Sequence, residues 1–178
     1  MNARALTIIL LILDFCTAAL VWFLFYVYRI ITIEHSEIVY KGSFFYALIL
    51  VPVFWILLYI LQGTYRNVLR NYRLKTIKLT LFASLLGTIL VFFIFLLNDI
   101  VNSYQQYYTL FLIYFGMHFI ITLIPRLIVV TIHVKRIHSG RFGFNTLIIG
   151  GSDKAVEILE DIRNLKKSSG HHFVGFIL

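Results

Sequence analysis

A single cysteine, Cys16, occurs in the chain, inside an apolar run. No disulfide framework or cysteine-rich metal cluster can be built from it, and it reads as a small apolar packing residue. Charge is scarce as well. Of the 178 residues only 13% are charged, against about 25% in ordinary soluble domains. A secretory signal peptide is also missing. The first apolar run is far longer than an h-region of about 7–15 residues, and no small-x-small cleavage site follows it, so it reads as a retained signal anchor. The 16 basic residues outnumber the 8 acidic ones, for a net charge of +8. They flank the apolar runs, however, so the charge implies no nucleic-acid partner.

What is abundant is apolar and aromatic side chains: 60% of residues are hydrophobic and 17% aromatic, with a mean hydropathy of +0.88. That composition needs a bilayer as solvent. Four runs stand out, at about residues 5–28, 44–61, 77–97 and 107–132. At about 1.5 Å rise per residue, each is long enough as a helix to cross a hydrocarbon core of about 30 Å, with the second run near the lower limit. Pro52 and Pro125 lie inside runs, where neighbouring helices can satisfy the freed backbone groups.

The connections orient the bundle. Between runs two and three lie Arg66, Arg70, Arg73, Lys75 and Lys78 with no acidic residue, and Lys135, Arg136 and Arg141 follow run four. The other two connections carry Glu34, Glu37 and Lys41, and Asp99. By the positive-inside rule both termini are cytoplasmic, and the weakly acidic loops face outward. Arg66, Arg70, Arg73 and Lys75 form an interfacial basic segment whose plain reading is a topology signal. Its sharper reading is a site for a lipid phosphate, at about 1 kcal/mol per basic residue.

Asp14 is a carboxylate inside the first run, where it requires a partner or a function. Arg29 lies fifteen positions on, about 22 Å along the same helix, and is out of reach. Arg126, in run four, is the candidate partner. The pair reads as structural, with a substrate or proton role as the alternative. His118 reads as a bundle-facing histidine, since no second histidine stands at metal-ligand spacing.

From residue 145 the pattern changes. Asn145–Ile149 reads as a buried strand, Gly150-Gly151 as a turn and Ser152 as an N-cap. A helix then runs to about Lys167, with Ala155, Val156, Leu159, Ile162 and Leu165 on one face, and His172–Ile177 reads as a second strand. The expected architecture is therefore an all-α four-helix transmembrane bundle over 1–134, a basic linker over 135–144, and from 145 to 178 the beginning of a Rossmann-like α/β module, truncated after strand, helix and strand. The turn offers Gly150, Ser152 and Ala155 where the dinucleotide fingerprint has G-x-G-x-x-G/A, so Gly150, Gly151 and Ser152 are a weak nucleotide site. His171 and His172 are too few for a metal site.

Taken together, several features resemble the N-terminal half of the large bacterial polyprenyl-phosphate sugar-1-phosphate transferases. They are the four spans, Asp14 and Arg29 in the first, the connection GTYRNVLRNYRLK, and PRLIVV ahead of FNTLIIGGSDKAVEILEDI and FVGFI. The resemblance implies a location in the bacterial inner membrane and a role in starting exopolysaccharide or O-antigen synthesis. There a nucleotide sugar donates a sugar-1-phosphate to undecaprenyl phosphate. It implies Mg²⁺ and an Asp-Glu pair in a catalytic domain C-terminal to the α/β module, so no catalytic residue, metal ligand or cofactor is expected in this stretch. The partners it implies are the bilayer, undecaprenyl phosphate and a nucleotide sugar, with room for a homo-oligomer. Membrane-bound nucleotide-sugar dehydratases and epimerases are similar over the same half. A four-span transporter and a nucleotide-sensing module are the non-enzymatic alternatives.

Overall fold

The computed structural model describes residues 3–35, 39–40, 42–66, 68–96, 104–140, 143–150, 153–164, 168 and 170–177. The chain divides into two compact units, Met1–Val129 and Val130–Leu178.

The first unit is helical. Helix α1 (Ala3–Arg29) continues through a π turn, Ile30–Glu34, and stops at His35, whose left-handed backbone (φ 47°) returns its N–H to the Ile30 carbonyl. Helix α2 spans Gly42–Leu61 and holds Pro52. A turn and a 3₁₀ segment, Val68–Arg70, lead to α3 (Arg73–Val91), which ends in a second π turn, Phe92–Leu96. Helix α4 runs from Tyr104 to His138 and holds Pro125. All four are long and apolar enough to cross a membrane.

Three boundaries differ from those read in the sequence. The coil of the first helix runs past 28, through Arg29 as the last residue of α1 and on through the π turn to Glu34. The third helix starts at Arg73 rather than 77, so Arg73, Lys75 and Lys78 lie in its first two turns. The fourth continues to His138, which makes Lys135 and Arg136 its last turn instead of a linker. Basic side chains there complement the helix dipole. Of the expected outward-loop charges, Glu37, Lys41 and Asp99 lie outside the described residues.

The bundle is built inside out. Leu6, Leu10, Asp14, Thr17, Ala18, Val21 and Phe25 form the buried stripe of α1, while Ile8, Ile12 and Leu20 point away. Cys16, expected to pack inside, is exposed because it falls off that stripe. Helix α3 turns inward a stripe of small and polar residues: Thr76, Thr80, Ala83, Ser84, Gly87 and Thr88. Small residues let helices approach closely in a membrane, where no hydrophobic effect drives helices together. At Gly87 the approach leaves no room for a side chain. A Cβ there would run into the ring of Trp55, which is completely buried.

In the second unit β1 (Phe144–Ile149) pairs in parallel with β2 (His171–Ile177), and α5 (Asp153–Arg163) forms the connection between them. A bulge interrupts the register, since Thr146 pairs with Phe173 but Leu147 with Gly175. Phe144, Thr146 and Ile148 are half-buried, whereas Asn145, Leu147 and Ile149 are exposed. Val156, expected on the buried face of α5, is 48% exposed; Leu159 and Ile162 are the half-buried positions. The helix is described only to Arg163, with Leu165 and Lys167 outside the described residues.

Candidate functional site

The polar residues of the bundle gather in its interior. Asp14 on α1 and Arg126 on α4 have side chains 1% and 3% exposed, and they form a two-pronged ion pair. Arg126 Nε donates to Asp14 Oδ1 at 2.7 Å and Nη2 to Oδ2 at 2.8 Å. The remaining nitrogen, Nη1, donates to Thr80 Oγ1 of α3 at 3.0 Å. From the turn after α2, the Tyr65 hydroxyl donates to Asp14 Oδ2 at 2.7 Å. The Tyr59 ring of α2 lies under the guanidinium, 4.0 Å from its carbon. All four helices and the α2–α3 turn thus meet at one carboxylate–guanidinium pair. Planar fork-to-fork geometry and extra donors are what let such a pair survive away from water.

The network continues along α4. Tyr59 Oη and His118 Nε2 share a hydrogen bond at 2.8 Å. The His118 ring stacks on Trp55 at 3.5 Å, tilted by 14°. Trp55 Nε1 in turn donates to the Tyr114 hydroxyl at 3.1 Å. From Arg126 to Tyr114 this covers twelve residues of one helix, about 18 Å of bundle depth. Buried beside it, Ser84 Oγ, Thr88 Oγ1 and His118 Nδ1 have no hydrogen-bond partner among the described residues. Burial pushes the Tyr65 phenol well above its ordinary value, and the neighbouring Asp14 carboxylate adds to the shift. Tyr65 is therefore a neutral donor to Asp14 at any physiological pH.

Of the residues singled out in the sequence, Asp14 and Arg126 are brought together, and His118 faces the bundle interior with one nitrogen bonded. The basic segment is spread over three local structures. Arg66 closes the turn after α2, Arg70 ends the 3₁₀ segment, and Arg73 and Lys75 open α3. Gly150 ends β1 with φ 118°, its N–H donating to the Ile177 carbonyl at 2.8 Å. Gly151 and Ser152 lie outside the described residues. Among the described residues no three His, Cys, Asp or Glu side chains come together.

No protein-family model, curated protein or solved structure matches the chain. Its function has to be read from its own residues.

Tyr65, Thr80, Tyr59, Trp55 and Tyr114 carry no distinguishing signal in the sequence. In a chain with eleven tyrosines and seventeen phenylalanines, a buried phenol looks like any other ring. The spacing of Trp55 and Tyr59, one helical turn apart, places them on one face of α2, but periodicity does not say which face is inside.

The assembled site can hold charge in place and join helices. Both Asp14 oxygens accept from Arg126, and Oδ2 accepts from Tyr65 as well. Asp14 is the only acidic residue within the four candidate spans, and its bonds leave it committed to that pair.

Proposed function

We propose that this chain is the membrane-anchoring and regulatory region of a sugar transferase that moves a sugar-1-phosphate from a nucleotide sugar to undecaprenyl phosphate. The chemistry belongs to a domain beyond residue 178. The commitment of Asp14 to Arg126, Thr80's hydroxyl on that arginine, and Tyr65 on the carboxylate carry the anchor half of this reading. The intramembrane charge serves to clamp four helices, which favours a scaffold over a transport path. The transferase half rests on the sequence resemblance. It is supported by the parallel strand–helix–strand unit that begins six residues after α4 ends, at 144 after 138.

In this reading the basic ends of the helices face the cytoplasm of a bacterial inner membrane and both termini are cytoplasmic. The α/β unit is the first part of a Rossmann-like module. Anchoring suits the reaction, because the acceptor diffuses in the bilayer and the donor in the cytosol. Arg66, Arg70, Arg73 and Lys75 draw the anionic carrier to the surface. Mg²⁺, as the resemblance implies, would be held in the downstream domain.

Membranes holding the full encoded protein, given radiolabelled UDP-sugars, Mg²⁺ and undecaprenyl phosphate, are expected to move label into the organic phase, and membranes holding residues 1–178 alone are not. Failure of the full protein to do so overturns the transferase reading. Conversion of the sugar to a keto-sugar with bound NAD would identify a dehydratase instead. Neutralising Arg66, Arg70, Arg73 and Lys75 together is expected to weaken binding to anionic vesicles; unchanged binding removes them from the carrier site.

A further inference from the structure

A groove about 500 Å³ in volume lies between α2 and α3, away from the ion pair, walled by Phe54, Leu57, Leu61, Phe82, Leu86 and Leu90. That volume is within the range of small-molecule sites. Its lining is apolar apart from Gln62, and the Gln62 side-chain amide is already used, donating to the Leu79 carbonyl at 3.0 Å. The groove therefore offers no polar partner along its length, and only a hydrocarbon chain suits it.

What lies at its end sets the rest of the ligand. Phe82, Leu86 and Leu90 repeat every four residues on one face of α3, so they share a line along the helix. One step back on that line is Lys78, exposed, with Lys75 a turn before it. Neither makes an ion pair among the described residues. The groove thus runs about 12 Å along α3, from Leu90 to Phe82, and leads on to an ammonium group at the end that also carries Gln62. A tail and a negative head are placed in the order an anionic lipid presents them.

We propose that this groove holds one acyl chain of an anionic glycerophospholipid whose phosphate sits at Lys78. The bound lipid fills the gap between α2 and α3 and fixes the start of α3 at the membrane surface. The proposal stands apart from the transferase reading and does not depend on it.

The chain purified in mild detergent and titrated with phosphatidylglycerol or phosphatidylcholine of identical tails tests this by native mass spectrometry. One phosphatidylglycerol is expected to remain bound under conditions that strip phosphatidylcholine. Lys78→Gln should lower phosphatidylglycerol occupancy about fivefold, the effect of one basic residue beside an anionic lipid, and leave phosphatidylcholine unchanged. Leu86→Trp should fill the groove and abolish the retained lipid, while Ile120→Trp, on the exposed side of α4, should not. Equal retention of the two phospholipids overturns the proposal, as does retention that survives Leu86→Trp. So does retention of polyprenyl phosphate in place of phosphatidylglycerol, or a lipid-free dimer closed over the groove. Should Leu86→Trp fail to fold, the headgroup preference of the unaltered chain and its loss in Lys78→Gln decide the matter.

Discussion

The two units expose apolar side chains for different reasons. In the bundle, Ile8, Ile12, Leu50, Leu57, Leu112 and Ile128 point outward while Asp14, Arg126, His118 and Thr80 are buried. Inside and outside are exchanged relative to a soluble domain, which is stable only where the surroundings are lipid. In the second unit, Leu147, Ile149 and Val174 are exposed on the sheet, but α5 carries Asp153, Lys154, Glu157, Glu160 and Asp161 on its eleven residues. That helix belongs in water, and the bare sheet positions are ones that protein covers in parallel sheets. Exposed apolar surface thus points to lipid in one unit and to further protein in the other, and the location of the charges tells them apart.

The comparison breaks most readily at the ion pair. Asp14→Leu leaves Arg126 buried without its counter-ion and is expected to cost about 3–5 kcal/mol of bundle stability, read by equilibrium unfolding in mixed micelles. Adding Arg126→Met should restore most of the loss. If the double variant is no more stable than the single, the arginine is not held by Asp14 alone.

Two exposed isoleucines then test the solvent assignments directly. Ile12, 58% exposed on α1, should meet lipid, so Ile12→Lys is expected to cost about 2.5–3.5 kcal/mol in a membrane-insertion assay. An insertion cost near zero would place that face against water. Ile149 is 84% exposed on β1 and should meet water in this chain. Ile149→Lys is accordingly the smallest effect expected here, within about 0.5 kcal/mol by thermal melting of residues 1–178. A markedly larger loss would show that face to be covered by protein.

Between these extremes lies close packing. Gly87→Ala forces a methyl against the Trp55 ring and is expected to cost about 1–3 kcal/mol. Loss of the Trp55–His118 stack should be visible as a change in tryptophan fluorescence. A silent substitution would mean that α2 and α3 can separate without penalty.

Much of the bundle was legible because hydropathy reports length and solvent. Four apolar runs and the change of pattern near 145 are one-dimensional features, and each has a described helix or strand at its place. Ends were less legible. Lys135 reads as linker in the sequence, yet charged residues continue a helix readily when no glycine or proline interrupts it.

Composition and pattern alone determined that the chain needs a bilayer, that four helices can cross it, and that Asp14 and Arg126 each sit within one. Only the tertiary structure decided that these two, 112 positions apart, meet, and that Tyr65, Thr80 and Tyr59 complete the site while Cys16 faces outward. The physical reason is rotational. Helix α2, GSFFYALILVPVFWILLYIL, is apolar on every side, so its sequence does not fix which face turns inward. That choice is made by packing, where Gly87 admits Trp55 and the buried Asp14 carboxylate gathers the donors within reach.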